Sequence, residues 1–165
     1  MTRAIVAFGG NLGEVRQSFV QARQTLAQTD GVEIMTVSKL YRTPPLGPEE
    51  QPDYLNAVVA VETDLSPLQL LDLLQRIEAQ HGRKRGERWG ARTLDLDIIA
   101  YDSELLAGER LTLPHKHMHE RMFVLCPLCD IDASWQHPLL KLTAEQLMHR
   151  LLAAGESPLP EGEIW

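Results

Sequence analysis

Only two of the 165 residues are cysteine, Cys126 and Cys129, and aromatic side chains make up 5% of the chain. Two cysteines without an export signal point to a reduced, cytoplasmic setting rather than to a disulfide-stapled secreted domain. The opening MTRAIVAFGG passes straight into a strand pattern, and no long apolar run follows anywhere. Neither a signal peptide nor a membrane contact is therefore expected. Basic charge is also short. The formal net charge is −7, which argues against a general nucleic-acid surface, and the few aromatics argue against a base-stacking sheet. No internal repeat, low-complexity tract or linker is found, so residues 1–165 read as a single domain long enough for a substantial core. The run Gly9-Gly10-Asn11-Leu12-Gly13 lacks the Lys and Ser/Thr of a P-loop and reads as a turn that lets a ligand approach closely.

Against that acidic background one stretch stands apart, GRKRGERWGARTLDLDIIAY from Gly82 to Tyr101. Its first half carries Arg83, Lys84, Arg85, Arg88 and Arg92 among Gly82, Gly86 and Gly90. Its second half reads as a buried strand in which Asp95 and Asp97 sit two apart, hence on one face. Two adjacent carboxylates on an apolar strand repel one another and lose hydration unless a counter-charge is present. A divalent cation answers both costs, and an all-oxygen site suits Mg²⁺, which takes further ligands from water and substrate phosphates. Guanidinium groups just upstream match phosphate oxygens in a bidentate way. A cation site beside a polyanion clamp reads as phosphoryl-transfer chemistry on a nucleotide. Taken singly, a D-x-D pair and a run of arginines are each common on ordinary surfaces.

The remaining pattern supplies the frame. Ala4–Phe8 reads as a strand and Val15–Gln28 as an amphipathic helix. Val32–Tyr41 reads as one long strand, followed by a stiff loop through Pro44, Pro45, Leu46 and Pro48. Ala57–Glu62 is a third strand. Asn56 before it either satisfies the core backbone or reads a heterocycle edge. Ser66 and Pro67 start a helix that buries Leu70, Leu71, Leu74 and Ile77 and ends near Gly82. Gln75 and Glu78 on it belong either to a site or to plain surface. Ser103–Leu113 reads as a hairpin. His115, His117 and His119 raise a zinc reading together with Cys126-x-x-Cys129, but the cysteines lie among apolar neighbours and read as buried. Thr143 caps a final helix, and Gly155–Trp165 is expected to be loosely held. The order strand, helix, strand, strand, helix, strand corresponds to an α+β, ferredoxin-like β-α-β-β-α-β sandwich with C-terminal additions, its antiparallel sheet carrying helices on one face.

Three segments also carry a resemblance: Arg42-Thr43-Pro44-Pro45-Leu46-Gly47, Gln51-Pro52-Asp53-Tyr54-Leu55-Asn56 and Arg88-Trp89-Gly90-Ala91-Arg92-Thr93-Leu94-Asp95-Leu96-Asp97-Ile98. With Leu113-Pro114-His115 and Arg121-Met122-Phe123-Val124-Leu125, they make the chain similar to 6-hydroxymethyl-7,8-dihydropterin pyrophosphokinases up to about Leu142. Gly10, Ala91 and Lys116 depart from the pattern, where Ser, Pro and an aromatic residue are usual.

The resemblance implies the ferredoxin-like fold. It also implies transfer of diphosphate from ATP to a reduced pterin, releasing AMP, in folate biosynthesis. Two Mg²⁺ ions would be held by Asp95 and Asp97, with Arg83 and Arg92 catalytic beside them. ATP would meet Gln75, Glu78, Arg85, Arg88, Trp89, Arg92, Ile99, Arg110, Thr112, His115 and Arg121. The pterin would meet Gly9, Thr43, Pro44, Pro45, Leu46, Tyr54, Asn56, Trp89, Asp95 and Phe123. The Gly82–Gly90, Gly10–Gly13 and Pro44–Gln51 segments would close over both. A monomer acting on small molecules is expected. A kinase moving only the γ-phosphoryl group, or a non-catalytic binding module, remains open at this point.

Overall fold

The computed structural model describes residues 1–11, 14–44, 53–82 and 94–165. Its centre is β1 (Thr2–Gly10), a strand apolar on both faces. Ala4, Val6 and Phe8 enter one core cluster, while Ile5 and Ala7 belong to the other. A strand apolar on both sides belongs in the middle of a sheet covered on both sides. β4 (Tyr54–Thr63) and β5 (Asp95–Tyr101) flank it, both antiparallel. β2 (Val32–Val37) and the short β3 (Tyr41–Thr43) both pair with β4, giving the order β2–β4–β1–β5. The result is a mixed helix and antiparallel-sheet architecture.

The single strand expected from Val32 to Tyr41 is thus two. Ser38 is the local cause. Its hydroxyl accepts the Val58 N–H at 2.8 Å while its own N–H donates to the Val58 carbonyl at 2.9 Å. A side chain that takes over a backbone acceptor's role interrupts the ladder. Leu40, freed from β4, pairs with Glu163 instead.

One face of the sheet is covered by α1 (Val15–Ala27) and α2 (Pro67–Gln80). The start of α2 follows its sequence closely: the Ser66 hydroxyl accepts the Gln69 N–H, the Gln69 side chain accepts the Ser66 N–H, and Pro67 takes the first helical position. A cap of this kind contributes about 1 kcal/mol. The other face is covered by α3 (Met122–Asp132) and α4 (Ala144–Ala153), whose Val124, Leu125, Leu128 and Leu147 join Ile5, Val58 and Ile99. The two helices of the expected β-α-β-β-α-β order thus share one face, and α3 and α4, which lie beyond that order, cover the other. Pro127 hides α3 from a sequence reading because an interior proline normally ends a helix, yet it lies inside this one. Beyond β5, β6 (Leu106–Ala107) and β7 (Thr112–Leu113) form the expected hairpin.

The end of the chain is also corrected. Trp165 is 8% exposed, and its ring lies 5.6 Å from Phe8 and 5.8 Å from Phe19. Its indole N–H donates to the Ser38 carbonyl at 2.8 Å, and the Arg23 guanidinium stacks 4.6 Å from the ring centre. An aromatic this large, once its polar atom is satisfied, gains enough from burial to order a polar tail. Among the described residues, no helix is long and apolar enough to cross a membrane.

Candidate active site

Sheet register assembles the site. Tyr41 stands opposite Asn56, Asn56 opposite Gly9, and Gly9 opposite Asp95. In the adjacent row Val58, Ala7 and Asp97 are opposite one another. Directly paired residues present their side chains to the same face, about 5 Å apart. Asn56 and the two aspartates therefore flank a strip of β1 where the side chains are only Gly9 and Ala7. The strip is a trough. A Cβ added at Gly9 would lie 3.2 Å from the Asn56 side-chain oxygen, so only glycine keeps this floor open beside the amide.

Walls rise around it. Thr43 and Pro44 come from the end of β3, Tyr54 from the start of β4, and Phe123 and Val124 from the first turn of α3. His115 and Arg121 close the far side. The enclosed cavity measures about 460 Å³, within the range that holds a small organic ligand. Phe123 leaves 39% of its surface uncovered at the mouth, with the Arg121 guanidinium 5.6 Å from its ring centre.

His115 is tied to β5, since its N–H donates to the Ile99 carbonyl at 2.8 Å. Its Nδ1 accepts the His117 N–H at 3.1 Å, which leaves the proton of the neutral ring on Nε2. Burial holds this histidine below the ordinary imidazole value. Asp97 pulls the other way, while Arg121 and His117 add to the lowering. At neutral pH it is an uncharged N–H donor beside a carboxylate.

Asp95 is half-exposed and Asp97 exposed, on one face as the period of two predicts, and both line the cavity. Two hard oxygen donors open to water fit a Mg²⁺ ion that keeps waters and takes ligands from phosphate. The zinc reading meets a different environment. Cys126 and Cys129 are half-buried on α3 rather than fully buried, and burial pushes the Cys129 thiol up to about 11. A zinc ligand needs the opposite shift.

Of the residues singled out in the sequence, Gly9, Thr43, Pro44, Tyr54, Asn56, Asp95, Asp97, Ile99, His115, Arg121 and Phe123 border this one cavity. Four others lie elsewhere. Glu78 is 5% exposed, on the α2 side of the sheet, and accepts the Leu96 N–H at 2.8 Å, bracing the strand between the two aspartates. Arg110 bonds Asp72 at 2.5 Å and Gln75 at 3.3 Å on the surface of α2. Thr112 lines a neighbouring cavity of about 380 Å³ that shares His115. Pro45, Leu46, Arg83, Arg85, Arg88, Trp89 and Arg92, with most of the three closing segments, lie outside the described residues. Ala7 and Val124 border the trough without having been singled out. A small or branched apolar residue in a core element carries no sign of a ligand, and only the pairing of Ala7 with Asp97 betrays it.

An apolar-walled trough with an amide at one edge and two carboxylates at the other has the size and chemistry to take a small molecule, as the site of a small-molecule enzyme does. Comparison with known proteins agrees. The family model described as 7,8-dihydro-6-hydroxymethylpterin-pyrophosphokinase (HPPK) matches residues 5–133. A 2-amino-4-hydroxy-6-hydroxymethyldihydropteridine pyrophosphokinase of Haemophilus influenzae is 46% identical over 145 residues, covering 88% of this chain and 91% of that one. Its namesake in Pseudomonas aeruginosa is 45% identical over 152 residues, covering 92% and 91%. Among solved structures, wild-type Plasmodium falciparum HPPK-DHPS with pteroate aligns with a TM-score of 0.73 at 14% identity, over 92% of this chain and 44% of that one. This chain thus spans less than half of that longer protein, and the likeness there is one of fold. The chain belongs to the 7,8-dihydro-6-hydroxymethylpterin-pyrophosphokinase family.

Proposed function

We propose that the protein transfers the diphosphate of ATP to the hydroxymethyl group of 6-hydroxymethyl-7,8-dihydropterin, releasing AMP, as a step of folate biosynthesis. Family membership supports the reaction. The single observation that carries it to these residues is the row Asn56–Gly9–Asp95, with Asp97 beside it. In this reading the flat pterin lies over Gly9 and Ala7, between the Thr43–Pro44 wall, Tyr54 and the Phe123 ring. The resemblance would add Pro45, Leu46 and Trp89, which lie outside the described residues. The Asn56 amide, a donor and an acceptor at once, reads the edge of the heterocycle.

Asp95 and Asp97 would hold two Mg²⁺ ions, which when bound neutralise the phosphates and acidify a coordinated hydroxyl. ATP extends from the carboxylates past Ile99 toward His115 and Arg121, with Thr112 in the adjoining cavity that shares His115. Neutral His115 offers its Nε2 proton to a phosphate oxygen. Arg85 and Arg88 grip the phosphates, and Arg83 and Arg92 follow charge into the transition state. Most of the acceleration then comes from holding the hydroxyl in line with the β-phosphorus in a dry, charged site.

The sheet order β2–β4–β1–β5, with α1 and α2 on one face, supports a ferredoxin-like core to which α3 and α4 add a second layer. We read the whole chain as one catalytic domain, acting as a cytoplasmic monomer. Product analysis tests the function. With Mg·ATP and the pterin, AMP and a pterin diphosphate should form together, and no AMP should form when the pterin is left out. ADP as the product would mean a γ-phosphoryl kinase, and no conversion by folded protein would refute the reading.

A further inference from the structure

Residues 134–165 lie beyond the stretch that the family model matches, yet the last four fold back against the cavity wall. Glu163 exchanges both backbone hydrogen bonds with Leu40, each at 2.8 Å, and its carboxylate pairs with the Arg42 guanidinium. The Trp165 indole N–H donates to the Ser38 carbonyl at 2.8 Å. Gly162 packs so closely that an added Cβ would lie 2.7 Å from the Lys39 Cβ and 2.9 Å from the Tyr41 ring. These contacts converge on Ser38–Arg42, the corner between β2 and β3. That corner runs straight into Thr43 and Pro44, which line the cavity. The Trp165 ring also backs Phe8, which borders the same cavity. A second anchor comes from α3, where the Asp130 carboxylate accepts the Lys39 N–H at 3.2 Å and the Tyr41 hydroxyl at 2.6 Å. The corner would therefore loosen, not unfold, if the C-terminal contacts were weakened.

From this convergence we propose that the segment Gly162–Trp165 positions the Thr43–Pro44 wall, so that Gly162, Glu163 and Trp165 are positioning residues for the flat heterocycle and not for the nucleotide. The inference rests on the reading that the trough takes the pterin. A wall ordered during folding spares the ligand the cost of ordering it on binding. A wall that is in place only part of the time lowers the apparent affinity by that fraction. Asp95, Asp97 and His115 stand on the other flank of β1 and keep their own supports from Glu78 and Ile99.

The test is calorimetry on the full chain. The pterin is titrated into protein saturated with Mg²⁺ and a non-hydrolysable ATP analogue, and the analogue is titrated separately. In the double variant Glu163→Ala, Trp165→Phe, which keeps an aromatic ring in the pocket, pterin binding should weaken about three- to tenfold. Nucleotide affinity and kcat at saturating pterin should stay at the parent's values. Should that variant fail to fold, Gly162→Ala displaces Lys39 without removing a contact and carries the same expectation. Unchanged pterin affinity beside a lowered Tm would reduce the segment to a structural brace and overturn the proposal. Equal losses for both ligands would overturn it as well. A parent protein that binds the nucleotide but not the pterin would instead refute the functional reading, and the proposal would fall with it.

Discussion

Asp97→Asn separates the chemistry of this site from its architecture. The side chain is exposed and stands opposite Ala7 on the cavity face. The substitution removes a charge, changes little volume and takes nothing from either core cluster. Stability should therefore stay within about 0.5 kcal/mol of the parent. One neighbour should respond. Asp97 pulls the His115 proton affinity upward, so His115 should stay neutral to a lower pH in the variant. Catalysis should respond far more. Half of the carboxylate charge offered to the cation is gone, and loss of one group aimed at developing charge typically costs about 10²–10³ in rate, or about 3–4 kcal/mol. AMP formation should fall at least about a hundredfold at fixed Mg²⁺, and excess Mg²⁺ should recover part of it by mass action. Separation of the nucleotides across a Mg²⁺ series, with thermal unfolding run in parallel, measures both quantities. Turnover within about threefold of the parent would refute the metal-holding role. A large loss of stability would refute the placement of Asp97 on an open surface.

Two further predictions concern what holds the site in place. Leu74 is fully buried in the α2 layer beneath the sheet, so Leu74→Ala should cost about 2–5 kcal/mol in denaturant unfolding; a smaller loss would mean that this layer collapses to fill the gap. His137 is held below its ordinary value of 6.5 by burial, with His119 adding to the effect, and its Nδ1 accepts the N–H groups of Leu139 and Leu140. As pH falls below 6.5, the unfolded chain takes up a proton that the folded one resists, so stability declines from that point until the lower folded value is passed. His115 and His81 act in the same direction. His137→Asn keeps an acceptor near Nδ1 but cannot titrate, so it should flatten the fall in Tm below that pH without abolishing it. An unaltered slope would show that His137 takes no part.

Where the sequence was a good guide, the signal was local. The leucine spacing of α2 and its Ser66–Pro67 start lie within one turn of each other, and the structure follows them. The shared face of Asp95 and Asp97 needs only the two-residue period of a strand. Asn56 had two readings open because its meaning depends on a partner far along the chain. Opposite Gly9, its amide lines the cavity. Trp165 was misjudged for the same reason: nothing near it in the chain announces Ser38, Phe8 or Arg23 as its surroundings. Nothing local announced α3, since an interior proline normally ends a helix, yet Pro127 lies inside this one, which is packed between a sheet face and α4.

The junction of β1 with β5 has one more consequence. Val6 pairs with Ile98 and Ile5 with Ala100, so Ile99 is an extra residue in the ladder. On the functional side of this insertion, even-numbered residues of β5 face the α1–α2 layer and the two aspartates face the trough. Beyond it the phase is reversed, and Tyr101 turns to the α1–α2 layer, where its hydroxyl donates to the Leu65 carbonyl at 2.6 Å. The strand is in effect two half-strands of opposite parity joined at one residue. The insertion is what lets the consecutive residues Ile99 and Ala100 both face the α3–α4 layer. Deleting Ile99 would close the insertion and restore simple alternation with Asp95 and Asp97 still on the trough face and Tyr101 still on the α1–α2 face, at the cost of the apolar side chain that Ile99 gives both to the second core cluster and to the cavity lining.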